Sequence, residues 1–157
     1  MYSEIVAHCI TAVTLGIGVA FYVHRHKAKL QADRLERTLD FIRTVYEREG
    51  PIHQANMQLA HWLGDGSKKL GDASELSEDK LSVLIRLLDF FDLMSQAAIQ
   101  NSLDAEMVVV ILGGKMRSVL RESSGYIQSV RDKYPDRSEI YLPYEKFVAD
   151  FVGDRPV

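Results

Sequence analysis

The sequence predicts an all-α protein: a single transmembrane helix continuing into a cytosolic bundle of about five helices. Three observations predict it. Residues 5–23 carry no Asp, Glu, Lys or Arg. Beyond them, apolar residues recur at spacings of three and four, the period of a helix face. Gly and Pro fall between these periodic stretches, as at Gly50-Pro51 and Tyr134-Pro135. The implied organisation is an anchor over 1–24, a juxtamembrane helix over 25–49, a helical domain over 50–152 and a tail over 153–157.

Ile5–Val23 is 19 residues long. As a helix that is about 28 Å, against a bilayer core of about 30 Å. A cleaved signal peptide fits poorly, because Met-Tyr-Ser-Glu is not basic and the run ends in Phe21-Tyr22-Val23 rather than in small residues. A buried core helix is the closer rival, since His8, Thr11 and Thr14 interrupt the apolar run. Arg25, Lys27 and Lys29 follow the stretch, and basic residues stay on the cytoplasmic side. The expected location is therefore the inner (plasma) membrane, single-pass, with the N-terminus outside and the domain in the cytoplasm. Ala12, Gly16 and Ala20 form a small-residue ridge of the kind that lets two membrane helices approach. Cys9 is the single cysteine, which excludes a disulfide framework.

No Pro or Gly occurs from Val19 to Glu49, so the helix is expected to run on to about Glu49. Ala28, Ala32, Leu35, Leu39, Ile42 and Tyr46 make a heptad-like seam. Phe41 and Val45 widen it, which favours packing on the same chain over a bare coiled coil. Residues 24–48 hold seven Lys/Arg and four Asp/Glu, a net +3, whereas residues 49–157 sum to −5. The basic collar suits an anionic lipid surface. The acidic remainder argues against nucleic acid as a partner.

Helix two is predicted over 51–63, with Ile52, Ala55, Leu59, Trp62 and Leu63 on its apolar face. The Gly/Asp/Ser-rich stretch 64–77 reads as a loop and lacks the spacing of a phosphate-binding loop. Ser77 reads as an N-cap for a helix over 78–102 that is apolar except for the stripe Ser82, Arg86, Asp89, Asp92, Gln96 and Gln100. Such a helix belongs at the centre of a domain. Asp104 reads as the cap of a fourth helix, in which Val109, Leu112, Met116, Val119, Tyr126 and Val130 form the inner face. Val108–Ile111 alone would also suit a strand. Gly113-Gly114 inside this helix implies close approach of another helix or a kink. The last helix is expected over 143–151, with Tyr144, Phe147, Val148 and Phe151 turned inward.

Chemical motifs are sparse. Asp89 and Asp92 share a helix face, and Arg117 and Arg121 lie one turn apart. Together they read as an interaction or salt-bridge face, with the arginines pairing to Asp89, Asp92 or Glu122. His53 and His61 are too far apart to share a metal without further ligands, and no Ser/His/Asp or Cys/His pattern has recognisable spacing. No enzyme activity, cofactor or metal is expected. The expectation is a protein-interaction or regulatory module whose partners are the bilayer and another protein or a second copy. The alternative is an oligomerising membrane effector, a defence or toxin component acting through the Ala12/Gly16/Ala20 helix.

Three stretches carry a resemblance: Leu87-Leu88-Asp89-Phe90-Phe91-Asp92, Asn101-Ser102-Leu103-Asp104-Ala105-Glu106 and Pro143-Tyr144-Glu145-Lys146-Phe147. Over residues 80–147 the chain resembles a bacterial family catalogued as domain of unknown function 4760. That resemblance implies an N-terminal membrane helix, a long charged helix and a compact helical domain, and no activity. A position before the Leu-Asp turn that is often Gly in that family is Ser102 here.

Overall fold

The structure is a computed structural model that describes the backbone of residues 2–45, 50–64 and 76–153, and side chains within 21–45, 50–62 and 76–153. Every regular element among the described residues is helical. The chain forms α1 (Tyr2–Val45), α2 (Pro51–Gly64), α3 (Glu78–Ile99), α4 (Ala105–Lys133) and α5 (Leu142–Phe147). A 3₁₀ turn at Pro135–Arg137 precedes α5, and a π-helical turn at Val148–Val152 follows it.

The unbroken first helix expected from the lack of Pro and Gly is present over 44 residues. Among the described residues no helix is long and apolar enough to cross a membrane. The side chains of residues 1–20, which carry most of the Ile5–Val23 stretch and the Ala12, Gly16, Ala20 ridge, lie outside the described residues. So does Tyr46, the end of the heptad-like seam, and so do Leu63, most of the 64–77 loop and residues 154–157 of the tail.

Residues 21–32 are all exposed, so α1 stands clear of the other helices there. Its C-terminal end packs on the domain. Thr38 and Ile42 are buried, Phe41 and Val45 pack against the core, and the Phe41 and Phe90 rings stack at 6.2 Å. The seam read from the sequence holds in part: Ile42 is buried, Leu35 is half-buried, and Phe41 and Val45 pack on the same chain as expected, but the rest of the described strip is not covered. Leu39 is 47% exposed, and Ala28 and Ala32 on the same strip are exposed as well. The packed positions 38, 41, 42 and 45 centre about 100° away from that strip, because bulky Phe41 and Val45 outweigh the alanines in drawing a face inward.

Thr38 ties the rod to the domain. Its Oγ1 donates to the Arg34 carbonyl at 2.7 Å and accepts the Asp104 N–H at 2.8 Å. Asp104 in turn caps α4, its carboxylate accepting the Met107 N–H at 2.9 Å. α3 ends just upstream in a Schellman motif, at Ile99 rather than 102. The Ser102 N–H donates to the Ala97 carbonyl at 2.8 Å and the Asn101 N–H to Ala98 at 3.0 Å. The left-handed position is Asn101 (φ 58°), a residue that tolerates it, so Ser102 needs no glycine.

Gly50 and Pro51 open α2 as expected, with the Gln54 N–H bonded to the Gly50 carbonyl. Ser77 holds the N-cap position of α3 in an extended backbone, but its side chain makes no capping bond. α3 is the central helix: Leu84, Leu87, Leu88, Phe91 and Met94 are fully enclosed. Leu93, 56% exposed, and Ile99 at the helix end are the exceptions. Ser95 and Ser123, buried on α3 and α4, each donate to the carbonyl four residues back at 2.7 Å. Their hydroxyls are satisfied locally and their small size suits helix contacts.

The Val108–Ile111 run is helical, as the longer stripe implied. Gly113 is where the C-terminal segment comes close: a Cβ there would sit 3.4 Å from the Val152 side chain. The end of the chain corrects the sequence reading. Regular α spacing would bury Phe151, yet Phe151 is 39% exposed and Val152 is buried. The π turn advances the inward position by one residue, and its bond from the Gly153 N–H to the Val148 carbonyl spans five residues.

Candidate interaction face

The α3 carboxylates do not meet the arginines. Asp89 accepts the Tyr141 hydroxyl at 2.9 Å, and Asp92 accepts the Tyr144 N–H at 3.1 Å. Arg121 pairs with Glu122 at 2.9 Å in an exposed contact. Arg117 donates to the Val152 carbonyl at 3.0 Å, holding the last turn against α4. Of the expected pairings only Arg121 with Glu122 forms; Asp89, Asp92 and Arg117 instead make separate tethers that secure the C-terminal segment. The reason lies in α5. Tyr141 at its N-cap has a left-handed backbone (φ 60°) and no side-chain capping bond, so the α3 acid supplies the missing acceptor from outside. Gln96 steadies Asp92 by donating to its other oxygen at 2.7 Å.

Further bonds complete the docking. Arg131 of α4 pairs with Glu145 at 2.8 Å and donates to the Ile140 carbonyl at 2.6 Å. The Tyr144 ring is fully buried against Phe91, centroids 5.6 Å apart, and its hydroxyl donates to the Met116 carbonyl. Tyr141 and Arg131 were not singled out from the sequence, and Glu145 was named only within the Pro143–Phe147 motif. Arg131 lies on α4 and the other two on the α5 segment, and nothing in the sequence joins the two elements.

Burial pushes the Tyr141 phenol well above its ordinary value, and the Asp89 carboxylate that it bonds adds to the shift. Burial likewise raises Tyr144. A raised phenol keeps its proton in the fold, while the unfolded chain loses it above the ordinary value of about 10. The stabilisation is fully present below about pH 10 and is lost as pH rises toward the folded values. Thermal melts followed by circular dichroism should hold their midpoint from pH 7 to 9 and fall above about pH 10. The fall should be shallower in Tyr141→Phe.

Docking α5 on α3 leaves a shallow groove between them of about 370 Å³. Ile99 and Leu142 line it with Gln100 and Pro143, and Glu139 and Lys146 border it. Leu142 is 48% exposed. Arg25, Lys27 and Lys29, the basic collar, are exposed on the free part of α1. Lys27 also lines a second groove with Arg34 and Asp104, where the rod meets the start of α4. Among the described residues no group of three or more His, Cys, Asp or Glu is placed to hold a metal.

These features define a helical domain carried on one long helix, its C-terminal segment latched by the acids of the central helix. A family model described as Domain of unknown function (DUF4760) matches residues 10–151, and the chain belongs to that family. The match includes all three motifs that carried the resemblance, and the Leu87–Asp92 and Pro143–Phe147 motifs are the two sides of the latch. No curated protein and no solved structure matches the chain.

Proposed function

We propose that this protein is a single-pass membrane-anchored helical protein whose domain is an interaction or regulatory module, not an enzyme. The observation that carries the reading is the 19-residue uncharged stretch Ile5–Val23, joined without a break to the exposed basic collar on the same 44-residue helix. A collar of Arg25, Lys27 and Lys29 beside an anionic leaflet gains about 1 kcal/mol per well-placed cation. The exposure of Phe21 and Tyr22 fits interfacial aromatic residues. In this reading the N-terminus is outside and the domain lies in the cytoplasm, with the bilayer as one partner and a protein as the other.

Sedimentation of the full chain from cells tests it. The expected result is retention in the membrane pellet after alkaline carbonate washing, and release by the double substitution Val13→Arg/Ile17→Arg. Each charge at the centre of a span costs about 2.5–3.5 kcal/mol on insertion scales. Recovery of the unsubstituted chain in the supernatant would overturn the anchor.

A further inference from the structure

The α3–α5 groove has a charge arrangement that matches itself. Asp89 holds Tyr141 and Asp92 holds Tyr144, so α3 and the α5 segment advance in the same sense across their contact. Along that segment Glu139 precedes Leu142 and Pro143 and Lys146 follows them, and all four line the groove. Both charged residues are exposed, and neither has an ion-pair partner among the described residues. The apolar residues of the groove are open to solvent: Leu142 within it and Ile99 at its wall.

We propose that this groove is a self-association surface on which a second copy of the chain docks about a two-fold axis. A two-fold crossing the groove reverses the patch end for end, so the acidic end of one copy meets the basic end of the other and only points on the axis meet their own copies. Glu139 of each copy pairs with Lys146 of its mate, and Leu142 lies near the axis, covered by Leu142 of the other copy. A patch with one charge sign at both ends would repel its own copy; this one neutralises itself twice. The proposal rests on the interaction-module reading and names its partner. It does not require the anchor.

The test uses the full chain in mild detergent, with Leu142→Cys placed in a Cys9→Ser background so that one thiol remains. Mild oxidation should give a disulfide-linked dimer, because residues near a two-fold meet their own copies. Glu139→Lys alone should lower the cross-linked fraction about tenfold, since like charges are then set against each other. Adding Lys146→Glu to it should restore the cross-link, as the reversed pair is complementary again. No cross-link at position 142, or one indifferent to the single reversal or not recovered in the double, overturns the proposal. A dimer built only through α1 gives that negative result at position 142. The carbonate wash reads the anchor separately, so the two failures are distinguishable.

Discussion

Tyr144→Ala should unfold the C-terminal segment, at a cost of about 3–5 kcal/mol, the range for removing a buried aromatic ring. The ring is fully enclosed, packs on Phe91 and spans from α5 to the Met116 carbonyl of α4. Its loss opens a cavity where three helices meet. For a domain with a total stability of about 5–15 kcal/mol, that is a large share. Tyr144→Phe separates the ring from the hydroxyl. It keeps the packing and should cost only about 0.5–1.5 kcal/mol, the net worth of one hydrogen bond. Urea unfolding followed by circular dichroism measures both. Equal losses in the two variants would place the stabilisation in the hydroxyl rather than the ring.

The second large effect is expected at Gly113. The last turn reaches α4 here, and a Cβ would stand at 3.4 Å from both Val109 and Val152. Alanine adds only that contact, and it gains about 1 kcal/mol of helix propensity. Gly113→Ala should therefore leave stability within about 1 kcal/mol of the parent. Gly113→Leu forces the Val152 turn off α4 and strains the Arg117 bond to its carbonyl, so a loss of about 1–3 kcal/mol is expected. Denaturation midpoints check the pair. A tolerated leucine would mean that the π turn is free to move away from α4.

The helices were legible because their signals are local. Asp104 caps α4, Gly50-Pro51 opens α2, and the apolar circumference of α3 places it at the centre. The seam on α1 was right at Ile42 and in its Phe41 and Val45 flank but not at Leu39, because periodicity gives a face but not its weight: Thr38, a polar residue, is buried while Leu39 is exposed. Beside the bulk of Phe41 and Val45, the Asp104 N–H, 66 residues away in sequence, takes the threonine hydroxyl as its acceptor. The inward position at the chain's end was misread for a related reason. A π turn inserts one residue into the count, and no composition signal marks it. Asp89 and Asp92 were seen as a pair on one face, yet their partners are a tyrosine hydroxyl and a backbone N–H. Neither kind of partner follows from charge matching.

The continuity of α1 bears on geometry more than on reach. The exposed portion from residue 21 to 32 spans about 18 Å as a helix at roughly 1.5 Å per residue. A flexible coil of the same length would average about 20 Å between its ends. Distance alone would thus be served equally well by a floppy leash. The rigid shaft adds a fixed bearing: wherever its far end is held, the domain points one way, and a twist applied there arrives at Thr38 undiminished. Two such shafts set side by side would present their domains already aimed, so that an encounter between them begins with most of its rotational search complete.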